Sequence, residues 1–240
     1  MYSKKIFVLN INDYLPEITK FTYPTIEAYA DRIGAELVYI TERKYPDYPI
    51  TFEKHQIYDL ADTDWSIYID SDVLINDEFY DITELSSPNR IILPFNNVAT
   101  GRYYMDDYFL RDDRFISVTN FISWVPSRCI DYWKPDLERT KEEIIASIYN
   151  VPREEFYNPP HRIDDYICSR NIARYGLKVT YIDDIYSKIY GHDKLEYFFH
   201  TSVLDHQKII DIERKNLQWY NPEEYHRLHS DHHHHDDHVH

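Results

Sequence analysis

Trp65-Ser66-Ile67-Tyr68-Ile69-Asp70-Ser71-Asp72-Val73-Leu74-Ile75 decides how the rest of the chain is read. Its apolar, β-branched run stops at two carboxylates one residue apart. Ile67-Tyr68-Ile69 has the composition of a strand buried on both faces of a parallel sheet. Asp70 and Asp72 then fall at the C-terminal mouth of that strand, where open α/β sheets bind ligands. A carboxylate buried there is costly unless it is paired. A hard divalent cation, itself holding phosphate oxygens, gives it a partner. An isolated Asp-x-Asp is also an ordinary solvated turn after a strand, so the surrounding chain has to decide.

Upstream, residues 5–10 read as a first strand. Residues 17–33 carry helical spacing, with Ile18, Phe21, Ile26, Tyr29, Ala30 and Ile33 near one face. Pro24 predicts a kink or a split in that helix, and Gly34 predicts its C-cap. Residues 36–40 read as a second strand, which gives a right-handed, parallel β-α-β unit. Residues 52–60 predict a helix ahead of the strand at 66–69. Downstream, 91–94 reads as a strand, and 115–124 as one or two strands around Asn120. Residues 126–133 and 138–149 predict helices. Residues 164–175 predict another, ended by Gly176, and 178–182 a late strand. The expected fold class is α/β: one domain with a mainly parallel central sheet and helices on both faces.

Composition narrows the function. The chain has 240 residues, 43% of them apolar, enough for one large α/β core. Only 4 glycines occur, and neither G-x-G-x-x-G nor G-x-x-x-x-G-K is present, so a Gly-rich phosphate loop is excluded. Acidic residues outnumber basic ones 42 to 26, for a formal charge of −16. That balance excludes nucleic acid as a partner and a basic membrane-surface role. No stretch approaches the roughly 20 apolar residues of a membrane span. Cys129 and Cys168 are too few for a disulfide framework, so buried free thiols and a reducing, cytoplasmic setting are expected.

The order of elements, with Asp70-Ser71-Asp72 after the third strand, resembles the GT-A family of nucleotide-sugar glycosyltransferases. The likeness is to its glycogenin-like and galactosyl/mannosyl branches, and it spans roughly residues 4–203. Tyr29-Ala30-Asp31-Arg32-Ile33-Gly34-Ala35-Glu36-Leu37 is similar to the family's helix-to-strand junction. Phe52 to Leu60 resembles its Lys-bearing helix. Tyr68 to Ile75 resembles its metal-binding strand end. Val118-Thr119-Asn120-Phe121-Ile122-Ser123 is similar to a later strand, with Phe121-Ile122 where a small residue and Gly are usual. Arg162-Ile163-Asp164-Asp165-Tyr166 stands at the family's acidic element, and Phe198-Phe199-His200-Thr201 at its late His.

The resemblance implies a sugar transfer from a nucleotide sugar donor, a UDP-sugar, to a hydroxyl of a glycan or small acceptor. It implies a bound Mn²⁺ or Mg²⁺ that neutralises the diphosphate leaving group. Asp72 and His200 are then metal ligands, with Asp70 bonding the metal or the ribose. One imidazole among carboxylates suits Mn²⁺ better than Ca²⁺. Leu9, Asn10, Tyr14, Lys54, Asp70, Ser71 and Asp72 are the implied nucleotide contacts. Asn120 and Asp164 are the implied acceptor contacts. Asp164 or Asp165 holds sugar hydroxyls or serves as general base.

Other chemistries share parts of this pattern. A phosphatase of the haloacid-dehalogenase type also ends a strand with Asp-x-Asp, and Asp183-Asp184 could supply its second acidic motif. That motif, however, belongs on a first strand. A degenerate, non-catalytic sugar- or nucleotide-binding protein is the other alternative. An EF-hand loop from Asp70 fails at Ile75, where Gly is required. Asp106-Asp107 and Asp112-Asp113 read as solvated loop charge. The glycosyltransferase domain is expected over residues 1–204, a helical extension over 205–228, and a disordered His/Asp-rich tail over 229–240.

Overall fold

Six short strands alternate large apolar side chains between two faces, and helices cover both. The computed structural model describes residues 1–79, 81–101, 104, 107–110, 116–148, 159–185 and 198–200. The sheet is built from β1 (Lys4–Leu9), β2 (Glu36–Ile40), β3 (Trp65–Ile69), β5 (Ile91–Leu93), β6 (Ile122–Pro126) and β7 (Val179–Tyr181), in the order β2-β1-β3-β6-β5-β7. A separate two-stranded sheet pairs β4 (Val73–Ile75) with β8 (Phe198–His200). The helices are α1 (Pro16–Ile33), α2 (Ile57–Leu60), α3 (Val98–Gly101), α4 (Lys141–Ile148) and α5 (Ile163–Tyr175).

The period-2 alternation of strands decides which residues meet which helix. On one face Ile6, Val8, Ile67, Ile69, Ile92, Ile122 and Trp124 pack with Ile26, Tyr29, Ala30 and Ile33 of α1. On the other, Phe7, Tyr68, Ile91, Leu93 and Val125 pack with Tyr132, Trp133 and with Cys168 and Ile172 of α5. Both cysteines are free and buried.

Strand direction places the site. β1 pairs parallel with β2 and β3, and β5 with β7, whereas β6 is antiparallel to both β3 and β5. Five strands therefore run one way and β6 alone runs back. The C-terminal ends of β1, β2, β3, β5 and β7 share one edge with the start of β6. The expected α/β architecture is observed, and Asp70 leaves a central strand, not an edge strand.

Several local expectations are corrected. Pro24 neither splits nor ends α1, which runs unbroken to Ile33. Burial of Ile18, Ile26 and Tyr29 holds the helix across the missing backbone bond. Gly34 caps it in the left-handed conformation (φ 70), as expected. The segment expected as one helix over 52–60 is a 3₁₀ stretch, Ile50–Gln56, running into α2. Four successive residues, Phe52, Glu53, Lys54 and His55, are buried there, each against a different partner. An amphipathic α-helix with one core stripe cannot bury four neighbours in a row. Residues 116–119 are irregular and only Ile122–Pro126 forms strand. Residues 127–133 form a 3₁₀ stretch broken at Cys129, and the next helix begins only at Lys141. The expected extension over 205–228, the tail over 229–240 and the pairs Asp106-Asp107 and Asp112-Asp113, apart from the backbone of Asp107, lie outside the described residues.

Candidate active site

Asp70 leaves β3 with its backbone N–H donating to Phe121 O at 2.8 Å, and Val73 N closes back on Asp70 O at 3.1 Å. The chain thus makes a tight turn through Asp70-Ser71-Asp72-Val73. Helix α1 grips this turn from behind. Thr22 Oγ1 donates to Ser71 O, Thr25 Oγ1 donates to Thr22 O at 2.7 Å, and Ile75 N donates to Thr25 Oγ1 at 3.1 Å. Thr22→Val keeps the shape but removes the donor to a buried carbonyl, so a loss of about 1–3 kcal/mol is expected in urea unfolding. Thr22→Ser keeps the hydroxyl and should lose less; equal losses would show that the hydroxyl is irrelevant.

The centre of the site is Lys54, 6% exposed. Its Nζ stands 3.0 Å from Asp164 Oδ2, 3.4 Å from Asp70 Oδ1 and 3.0 Å from Asn120 O. The ammonium also lies 4.9 Å from the Tyr68 ring centre. Burial by itself lowers a lysine pKa, but the Asp164 and Asp70 carboxylates outweigh it, and the pKa is raised well above the ordinary value. Lys54 is therefore a fixed cation. Tyr68 hydroxyl donates to Asp70 Oδ1 at 2.5 Å. Burial, with Asp70 beside it, raises the Tyr68 pKa, so that donor stays protonated.

Asn120 knits β6 to α5. Its side-chain oxygen accepts from Tyr132 hydroxyl, its Nδ2 donates to Asp164 Oδ2 at 3.4 Å, and its backbone N donates to Asp165 Oδ1 at 2.8 Å. Asp164 and Asp165 lie in the first turn of α5, where the helix dipole favours negative charge. Burial, and then the neighbouring Asp164 charge, nevertheless push Asp165 up to about 8. One carboxylate of the pair faces Lys54, and the other holds its proton at neutral pH.

Tyr68, Tyr132 and His161 were not singled out from the sequence. Burial lowers the His161 pKa, and the charges of Asp164, Lys54 and Asp70 act on it. The tyrosines looked like ordinary core aromatics. The one signal for Tyr68 was its place two residues before Asp70, on the same side of an alternating strand.

Other residues expected to contact the nucleotide also lie at this edge. Leu9 ends β1, and Asn10 N donates to Ile40 O at 2.9 Å. Asn10 Oδ1 is buried without a hydrogen-bond partner among the described residues. Asn12, Asp13 and Leu15 all have left-handed backbones (φ 59, 51 and 48), and none is glycine. Such conformations cost of order 1–3 kcal/mol each and cluster at functional sites. Between them Tyr14 is 51% exposed, and its pKa is raised by partial burial and by the charges of Asp72 and Asp70.

For a metal, Asp72 is 4% exposed and directly precedes β4, and β8 registers His200 opposite Val73. The backbone thus brings His200 within one position of Asp72, although the two stand 128 positions apart in sequence. The side-chain positions among the described residues do not themselves form a three-ligand group. Asp183, which a phosphatase would pair with Asp70, follows β7, with β6 and β5 lying between β7 and β3.

Burial gives the fold a pH signature. His55 is fully buried, donates from Nδ1 to Trp133 O at 3.0 Å as the neutral tautomer, and has its pKa lowered by burial to about 4. The unfolded chain takes up that proton near pH 6.5 and the native chain does not, so this group lowers stability as pH falls from 6.5 toward 4. Asp165 acts oppositely: the native chain keeps a proton that the unfolded chain has released, so stability falls as pH rises from 3.8 toward 8. The two slopes oppose each other between 4 and 6.5. Of these two groups only Asp165 acts above 6.5, and its one proton gives a fall of about 1.4 kcal/mol per pH unit. Urea midpoints measured from pH 6.5 to 8 should decline, and Asp165→Asn should flatten the decline. An unchanged slope in that variant assigns the effect elsewhere.

Sequence comparison finds no matching protein family and no matching curated protein. Among solved structures, the chain is similar to a glycosyltransferase involved in glycosylation of the major capsid of PBCV-1, at 16% identity and a TM-score of 0.49, covering 88% of this chain and 99% of that one. It is also similar to a mutant Drosophila β1,4-galactosyltransferase 7 in complex with manganese, UDP-Gal and xylobiose, at 16% identity and TM-score 0.42, over 83% and 71% of the two chains. A third likeness is to galactosyltransferase LgtC with donor and acceptor sugar analogues, at 10% identity and TM-score 0.40, over 75% and 73%. At these values the likeness is one of fold outline, and residue roles rest on the geometry above.

Proposed function

We propose that this chain is a GT-A-type, metal-dependent glycosyltransferase that moves a sugar from a nucleoside diphosphate sugar, a UDP-sugar, to a hydroxyl of a glycan or small acceptor. The observation that carries the reading is Lys54, which joins Asp70 after β3 to Asp164 at the start of α5 on the ligand-binding edge. Four segments distant in sequence supply this cluster, and a buried charged network at a sheet mouth is a functional-site signature.

The donor types fit a divalent cation of the Mn²⁺ or Mg²⁺ kind. Asp70 and Asp72 offer carboxylate oxygens, and His200 is registered beside Asp72. Bound there, the cation supplies charge neutralisation to the departing diphosphate. Around it, Asp70 is oriented by Tyr68 and Lys54, and Thr22 and Thr25 fix the turn. Leu9, Asn10 and Tyr14 line the neighbouring end of β1, the place for the nucleoside. Ser71 contributes backbone to the same turn.

Asn120 and Asp164, on the same edge, are the residues we assign to contacts with sugar hydroxyls. Asp164 is ion-paired with Lys54, and burial raises the Asp165 pKa, so Asp165 is a poor general base at neutral pH. This reading favours retention of anomeric configuration. The test is a panel of nucleotide sugars in a thermal-shift and hydrolysis assay with Mn²⁺. A metal-dependent rise in melting temperature with one nucleotide class is expected. No response to any of them, together with turnover of phosphate monoesters, overturns the reading.

A further inference from the structure

A partly exposed aromatic ring lies at the edge where Asp70 emerges. β5 runs parallel to β3, because both are antiparallel to β6. The residues after β5 therefore come out beside the site, and the second of them, Phe95, is 40% exposed. Its ring centre lies 6.1 Å from that of Phe121, tilted by 38°. Phe121 is the residue whose carbonyl accepts from Asp70 N, and it directly follows Asn120.

The loop carrying Phe95 is clamped. Asn96 Oδ1 accepts from Ser117 N at 2.8 Å, and Asn97 N donates to Ser117 O at 2.9 Å. Asn97 Nδ2 donates to Thr119 Oγ1 at 2.8 Å, and Gly101 N returns to Asn97 O at 3.2 Å. Both asparagines spend their amides on backbone and side-chain partners in the stretch that leads to Asn120. The ring is thus presented at a fixed place without being buried.

We propose that Phe95, backed by Phe121, is the stacking platform for a pyranose ring of a carbohydrate acceptor. The proposal rests on the glycosyltransferase reading and names the acceptor class. A pyranose has an apolar face of C–H groups and a rim of hydroxyls. A flat ring meets the face, and adjoining carboxylate and amide groups meet the rim. The platform also lies on the opposite side of β3 from β1, with its Tyr14 loop, so it does not compete with that loop for the nucleoside.

Saturation-transfer NMR with methyl glycosides of galactose, glucose, mannose and xylose tests this on the full chain. Transfer to ring C–H protons of at least one glycoside is expected on the wild type. It should fall at least about fivefold in Phe95→Ala, the scale of losing one stacking contact, and persist in Phe95→Trp. Phe95 is largely outside the core, so the alanine variant should fold. Absence of transfer on the wild type, or undiminished transfer in Phe95→Ala, overturns the platform. So does displacement of the glycoside by UMP, which would make the ring a nucleobase site. A UDP–Mn²⁺ titration of the wild type is run in parallel. Its failure, with glycoside transfer still tracking Phe95, sinks the transferase reading and leaves the platform.

Discussion

Lys54→Met is expected to lower the unfolding free energy by about 3–5 kcal/mol, the range for deleting one partner of a buried charge network. The substitution leaves Asp70 and Asp164 facing each other without the ammonium that now stands 3.4 and 3.0 Å from them. It also removes the donor to Asn120 O. Urea unfolding at neutral pH measures the loss. The cause is separable from lost packing, since Met fills a similar volume. Lys54→Met combined with Asp164→Asn should recover part of the loss, because one of the stranded charges is gone. A single Lys54→Met variant within about 1 kcal/mol of the wild type would show that the cluster is already hydrated and carries no charge strain. The same variant should lose the proposed transferase activity, since Asp70 then loses the cation that orients it.

Asp72→Ala should weaken Mn²⁺-dependent UDP binding by more than about 100-fold, beyond the roughly 10–100-fold typical of losing a group that only supports a ligand. Asp72 is proposed as a direct metal ligand, and it sits on the turn that α1 holds from behind. Isothermal titration with and without Mn²⁺ reads the effect on a chain ending near His226, so that the histidine-rich tail does not contribute. His200→Ala should weaken binding by less. If the Asp72→Ala variant binds UDP with Mn²⁺ as tightly as its parent, the acid pair is not the metal site.

Much of the candidate site was legible because its residues end or begin elements with strong signals. Ile67-Tyr68-Ile69 running into Asp70 identifies a central strand from composition alone. Gly34 and Gly176 mark both helix ends, each in the left-handed conformation that favours glycine. Lys54, Asn120 and Asp164 could be singled out by motif, but not their mutual contact, which joins positions 66 and 110 residues apart. The reversal of β6 was not legible either. Ile122-Ser123-Trp124-Val125-Pro126 has the same buried composition whichever way it runs, and direction is set by its neighbours. The 3₁₀ stretch at 50–56 was misread because hydrophobic spacing reports one helical stripe. Here Glu53 is buried by accepting Lys44 N at 3.1 Å, Tyr45 N at 2.9 Å and Arg43 Nε at 3.2 Å, which no apolar pattern encodes. Tyr68 and Tyr132 escaped notice because a buried tyrosine announces its ring and not the partner of its hydroxyl.

The contact between Lys54 and Asp164 also bears on the order in which the chain assembles. The ammonium is made early in synthesis, yet the carboxylate that balances it arrives 110 residues later. Until α5 docks, the first strands must carry a lysine aimed into a greasy interior, or keep that rung undocked. Closing so long a loop is entropically slow. The 50–56 rung should therefore be among the last parts to gain protection from hydrogen exchange during refolding, after β1–β3 have formed. Nascent chains released before residue 164 would hold an incomplete fold, and cellular proteolysis should remove them readily.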